Sequence, residues 1–167
     1  MPFAELDENS LRGMTMQSFA GSALFDRTFD EGMSLVEEAA RYLDGRGKEE
    51  ARDLPRKAAM LYAGESLRVT TRLMQAASWL LVQRAVHEGD MPAEDAADQR
   101  YRLGSKEICF GSRAEEAENL PKALQDLLAR SESLYRRIAR LEEVLTSPGE
   151  AAGVRTQFER LEQAFGQ

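Results

Sequence analysis

Between Leu54 and Glu88 the chain carries a helical apolar pattern too wide for one neighbour to cover. One stripe is Ala59, Tyr62, Ser66, Val69, Leu73, Ala76 and Leu80, spaced alternately three and four residues apart. A second runs beside it: Met60, Ala63, Leu67, Thr70, Met74, Ala77 and Leu81. At 3.6 residues per turn such spacing keeps each stripe on one face, so each calls for its own helical neighbour. At 1.5 Å per residue the element is about 50 Å long. Such a helix predicts a bundle on one side and an outside partner on the other.

Two further helices can supply the bundle. The first is expected from about Ser22 to Leu43, with Ser22 as N-cap and Gly45 as the stop. Its stripe is Phe25, Phe29, Gly32, Val36, Ala39 and Leu43, widened by Leu24, Leu35 and Tyr42. Gly32 in mid-helix costs about 1 kcal/mol against Ala, and the expected return is a close approach by another helix. The third helix is expected to start near Leu120-Pro121, capped by Asn119. Its stripe, Leu120, Leu124, Leu127, Ser131, Leu134, Ile138, Leu141 and Leu145, is interrupted only by Ser131.

Three long helices with matching heptads predict an all-α fold, an antiparallel three-helix bundle. Around it, residues 1–17 read as a flexible lead-in and 18–146 as the bundle domain. A short polar helix is expected from Ala93 to Leu103, and the glycine-bracketed segment 104–112 reads as a loop. After Ser147-Pro-Gly149 a C-terminal tail, 147–167, places Val154, Phe158, Leu161 and Phe165 on one face. That tail is too short for a stable lone helix, so it either docks on the bundle or waits for a partner.

Charge narrows the partners. The net charge of −7 makes free nucleic acid and anionic membranes poor partners. Residues 18–54 carry nine acids and five bases, and 90–119 eight and four, whereas 55–89 carry five bases and two acids. Acidic flanks around a mildly basic central helix describe a dipolar bundle able to select partners by charge. Met1–Glu8 has no basic region followed by an apolar run, so no secretory leader is expected. The single cysteine fits a reducing, cytoplasmic setting.

Catalytic chemistry finds little to stand on. The one histidine, His87, lies at the end of the second helix, where interaction with the last carbonyls explains it better than a base lacking partners. Cys109, between Ile108 and Phe110, reads as a small apolar anchor rather than a reactive thiolate. Glu37-Glu38 and Glu115-Glu116 are adjacent acids that cannot share a helix face. There is no Cys/His cluster, phosphate-cradling loop or dinucleotide-binding glycine pattern, so no metal, cofactor or catalytic residue is expected.

Two features admit more than one reading. Gly64 followed by Glu65-Ser-Leu-Arg-Val-Thr-Thr-Arg72 has the look of a helix-turn-helix, which would suit a transcription-associated regulator binding DNA or a transcription factor. Against it, both stripes pass Gly64 in phase, so the run reads better as buried polar residues of one long helix. Trp79 lies outside both stripes with Val82 and Val86 near it. It is either an exposed interface anchor or a residue covered by the short 93–103 helix.

Three stretches carry a family resemblance: Phe25-Asp-Arg-Thr-Phe-Asp-Glu-Gly32 through Leu43, Tyr62-Ala-Gly-Glu-Ser-Leu-Arg-Val-Thr-Thr-Arg72 through Val86, and Leu120-Pro121 through Leu134-Tyr-Arg-Arg-Ile-Ala-Arg-Leu141. In these the chain resembles the DUF1465 family of small alphaproteobacterial helical proteins, that of the regulator of CtrA degradation. The resemblance implies a three-helix bundle that forms a homodimer and has no catalytic site. It further implies an adaptor that helps deliver cell-cycle regulatory substrates to the ClpXP protease, together with a response-regulator adaptor. On that reading Leu67, Met74, Trp79 and Leu81 are the candidate dimer or partner interface, and Val154, Phe158, Leu161 and Phe165 the candidate docking peptide.

Overall fold

The computed structural model describes residues 15–112 and 114–146, and over these the fold is an all-α bundle. The four tail positions Val154, Phe158, Leu161 and Phe165 lie outside the described residues, as do positions 1–14 of the lead-in. Among the described residues there are seven α-helices: α1 (Met16–Ala20), α2 (Ala23–Asp44), α3 (Arg46–Arg52), α4 (Arg56–His87), α5 (Ala93–Ala96), α6 (Lys106–Cys109) and α7 (Lys122–Thr146). The three long ones are α2, α4 and α7.

Helix α2 begins and ends where its sequence dictates. Ser22 is the N-cap, its hydroxyl accepting from the Phe25 N–H at 3.2 Å, and Gly45 takes the C-cap. Phe25, Gly32, Leu35, Ala39 and Tyr42 are buried along it. A Cβ on Gly32 would lie 2.7 Å from Leu80 Cδ1, so this glycine is where α2 and α4 come closest. Helix α4 follows Pro55, whose carbonyl accepts from the Ala59 N–H, and runs unbroken through Gly64. That continuity removes the turn a helix-turn-helix needs. It ends before Gly89, which takes a left-handed φ of 79°.

Helix α7 departs from expectation at its start. Asn119 lies in a 3₁₀ turn, Ala117–Asn119, and Lys122 is the first helical residue. Just inside the helix, the Gln125 side chain reaches back to donate to the carbonyls of Leu120 and Glu118 at 2.7 and 3.0 Å, fastening the incoming turn. The expected 93–103 helix is a single α-turn followed by a 3₁₀ turn, Gln99–Tyr101. The 104–112 segment holds one helical turn, α6, entered through Ser105 in the left-handed region.

The directions of the three long helices follow from cross-helix pairs. Arg130 pairs with Glu38 at 2.7 Å and Arg137 with Glu31 at 2.6 Å, so α2 and α7 are antiparallel. Arg84 lies over the Phe29 ring and Gly32 abuts Leu80, so α2 and α4 are antiparallel too. It follows that α4 and α7 run the same way, and their contacts agree. Lys57 pairs with Glu116 near both N-termini, Arg72 reaches Leu128 and Ser131, and Val86 shares a small core with Leu145.

A parallel pair needs a connection as long as the bundle. Residues 88–121 provide it, descending along α4 and α7 from Ala96 beside Val86 to Glu116 beside Lys57.

Candidate interaction surface

The two stripes of α4 meet opposite fates. Tyr62, Val69, Leu73, Ala76 and Leu80 of the first are buried in the main core with α2 and α7. The large residues of the second, Met60, Leu67, Met74 and Leu81, stand every seventh residue and are between 52% and 69% exposed. Four of the five exposed large hydrophobics among the described residues lie on this line, and the fifth, Ile108, is on α6. Between the large residues stand small ones: Ala63, Gly64, Thr70, Thr71, Ala77 and Ser78. The face carries no charged residue from Ala58 to Gln83 apart from Arg68 at its margin, whose side chain is 20% exposed. A charge-free apolar ridge of roughly 30 Å is well beyond scattered surface apolarity, and such ridges mark interaction sites.

A third face of α4, about 140° around the helix from the ridge, is also buried. Its residues are Glu65, Arg72, Trp79 and Val86, again seven apart. Half of it is ionisable, and for Arg72 the reason is the connection it faces. An irregular segment carries backbone donors and acceptors that no ladder satisfies, and inside a protein each needs a partner. Arg72 donates from Nε to the Cys109 carbonyl at 3.0 Å and from Nη1 to the Leu128 carbonyl at 3.1 Å. Ser131, the lone polar residue in the stripe of α7, sits 3.4 Å from the same Nη1. Arg68 donates to the Ile108 carbonyl, and Gln75 accepts from the Gly104 N–H at 2.8 Å. From α7, Tyr135 donates to the Gly104 carbonyl and the buried Glu142 accepts from the Leu103 N–H at 2.8 Å.

Burial lowers the pKa of Arg72 from its ordinary value, opposed mainly by the charge of Glu132. Glu65 is buried 3.5 Å from Arg68. Of the two local ion pairs that the spacing of Glu65 allowed, the one with Arg68 forms, while Arg72 spends its donors on backbone. The Cys109 thiol is fully buried and burial pushes its pKa up, which leaves it the apolar anchor its neighbours suggested.

Trp79 corrects the interface assignment. It is 3% exposed, so it is not a surface anchor. Its cover comes chiefly from α1, whose Phe19 ring lies 5.7 Å from the indole and stacks edge-on against Phe25. The polar lead-in was expected to extend through residue 17, yet α1 starts at Met16, which is buried against Val86, Ala20 and Ala96. Ala93, Ala96 and Ala97 pack with Val82 and Val86, while Leu103 shares the main core with Trp79. The signal that would have found α1 is the Met16–Phe19–Ala20 spacing, one helical turn of apolar residues before Gly21.

The remaining chemical candidates are dispersed. His87 is exposed in the last turn of α4. The adjacent acids are on the surface, Glu38 paired with Arg130 and Glu116 with Lys57. Among the described residues no group of three or more His, Cys, Asp or Glu side chains could hold a metal. No helix among them is long and apolar enough to cross a membrane.

Comparison with known proteins places this geometry. A family model described as "Protein of unknown function (DUF1465)" matches residues 16–165. No curated protein matches the chain. Among solved structures, that of RcdA from Caulobacter crescentus CB15 is 53% identical, with a TM-score of 0.63, over 77% of this chain and 96% of that one. The chain therefore belongs to the DUF1465 family, the family of RcdA.

Proposed function

We propose that this protein is a non-enzymatic adaptor in regulated proteolysis. In this reading it works in the cytoplasm as a homodimer and helps deliver cell-cycle regulatory substrates to the ClpXP protease, with a response-regulator adaptor as its companion. The observation that carries the proposal is the apolar ridge of Met60, Leu67, Met74 and Leu81, exposed on a member of the RcdA family. A tether needs surfaces rather than a reactive group. It raises the effective concentration of a substrate at the protease without forming a bond. A chain whose lone thiol is buried and whose lone histidine stands apart suits that task.

The test is reconstituted turnover. With ClpXP, the response-regulator adaptor and a cell-cycle regulator as substrate, adding this chain should accelerate degradation severalfold. Ending the chain at Ser147 should separate the bundle's contribution from that of Val154, Phe158, Leu161 and Phe165. Unchanged degradation on adding the full chain, together with no capture of the chain by an inactive ClpXP, would sink the proposal.

A further inference from the structure

The exposed ridge also has a pattern that specifies how a second copy would sit on it, an inference that rests on the homodimer proposed above. Written as a heptad, Met60, Leu67, Met74 and Leu81 occupy one core position, and Ala63, Thr70 and Ala77 the other. Between Met60 and Leu81 the large residues are on one register and the small ones on the other, and the next position of the second register is Arg84. When two such helices run parallel, like positions meet, giving layers of two large side chains alternating with layers of two small ones. The large layers hold the helices apart and leave the small layers void, which close-packed interfaces do not tolerate. When the helices run antiparallel, each layer pairs one register with the other, so large residues meet small ones along the middle of the seam.

We propose that two copies pair through α4 antiparallel, with the two-fold axis at the level of residue 72. In that register Leu81 packs on the partner's Ala63, Met74 on the partner's Thr70 and Leu67 on the partner's Ala77, while Met60 at each end of the seam meets the partner's Arg84. Two observations select it. Helix α4 runs from Arg56 to His87, so an axis near residue 72 overlaps the two helices over nearly their whole length. The next register, one heptad lower, leaves the last turns of each helix unpaired. The chosen register also brings Arg56, exposed at the start of α4, near the partner's Glu88, which pairs with Arg84 of its own chain at 3.1 Å. The helix dipoles oppose one another in the same arrangement.

Single cysteines on the exposed face test the geometry, because native Cys109 is buried. Thr71→Cys, beside the axis, should cross-link to itself through a short bis-maleimide. Met60→Cys alone should not, since its two copies stand about 36 Å apart along the axis. Leu81→Cys mixed with Ala63→Cys should cross-link across subunits, after exchange, at least tenfold more than either alone. Light scattering on the same samples reports the dimer independently. A dimer in which Met60→Cys and Leu81→Cys each link to themselves is parallel and overturns this geometry while leaving the homodimer standing. A dimer without the Thr71 and Leu81–Ala63 links overturns it as well. A monomer at all concentrations overturns both the geometry and the homodimer.

Discussion

Two faces of α4 invert the usual rule of what is inside and what is outside. The face holding Glu65 and Arg72 is buried, and the face holding Met60, Leu67, Met74 and Leu81 is in solvent. The same helix supplies both, so helix propensity does not separate them. What separates them is what each face meets. The polar face meets the backbone of the 88–121 connection, whose carbonyls and N–H groups need partners once water is gone. The apolar face meets nothing among the described residues. Buried charge here is a consequence of topology: parallel α4 and α7 require a long crossover, and the crossover requires donors. Exposed apolarity has no such cause among the described residues, and faces of that kind are the ones interaction partners cover.

The sharpest way to break this comparison is at Arg72. Arg72→Ala removes the donors to Cys109 and Leu128 and leaves a cavity, so unfolding free energy should fall by about 3 kcal/mol or more. For a domain of this size that is a melting temperature lower by roughly 10 °C. Arg72→Met keeps most of the volume but restores no donor. If Arg72→Met is as stable as the parent, the buried face is ordinary packing and the connection does not need its polar partners.

A smaller effect is expected one layer away. Glu142→Ala leaves the buried Leu103 N–H without an acceptor and should destabilise by about 1–3 kcal/mol. Glu142→Gln retains an acceptor oxygen and should recover most of that loss. Hydrogen exchange at the Leu103 amide reads the same event locally: faster exchange in the alanine variant, near-parent exchange in the glutamine variant. Gln75→Ala, at the half-buried Gly104 N–H, should cost only about 1 kcal/mol. Equal losses at 142 and 75 would say that burial does not grade these bonds.

The difference between the two faces also marks what the sequence could disclose. The three long helices, the Ser22 cap, the Gly45 stop and the close approach at Gly32 were legible because each rests on local spacing or a single residue's conformational limits. The exposed ridge was legible as surplus: a second stripe with no third helix left to cover it. The buried polar face was only half legible. Glu65 and Arg72 could be read as buried polar residues, but their partners are carbonyls of a segment with no periodicity of its own, and no spacing rule connects Arg72 to Cys109. Trp79 was misassigned for a related reason. Its cover, Phe19, comes from a helix of five residues, too short to announce itself by period.

The smallest expected effect on the fold belongs to the other face, and it is the one that sharpens the comparison most. Leu67→Glu with Met74→Glu places two carboxylates on the ridge, where both parent side chains are exposed in the isolated subunit. Leu, Met and Glu have nearly equal helix propensity, so α4 has no local reason to weaken. Measured at a concentration low enough that both proteins are monomeric, unfolding free energy should change by no more than about 0.5 kcal/mol. Association should be lost, because burying two carboxylates against the partner's Ala77 and Thr70 leaves charges without partners. If the double variant instead loses helix content as a monomer, the ridge is supporting the fold from within and the inversion between the two faces is not real. If it keeps both its fold and its dimer, the second copy sits elsewhere, and the ridge remains open for a different protein.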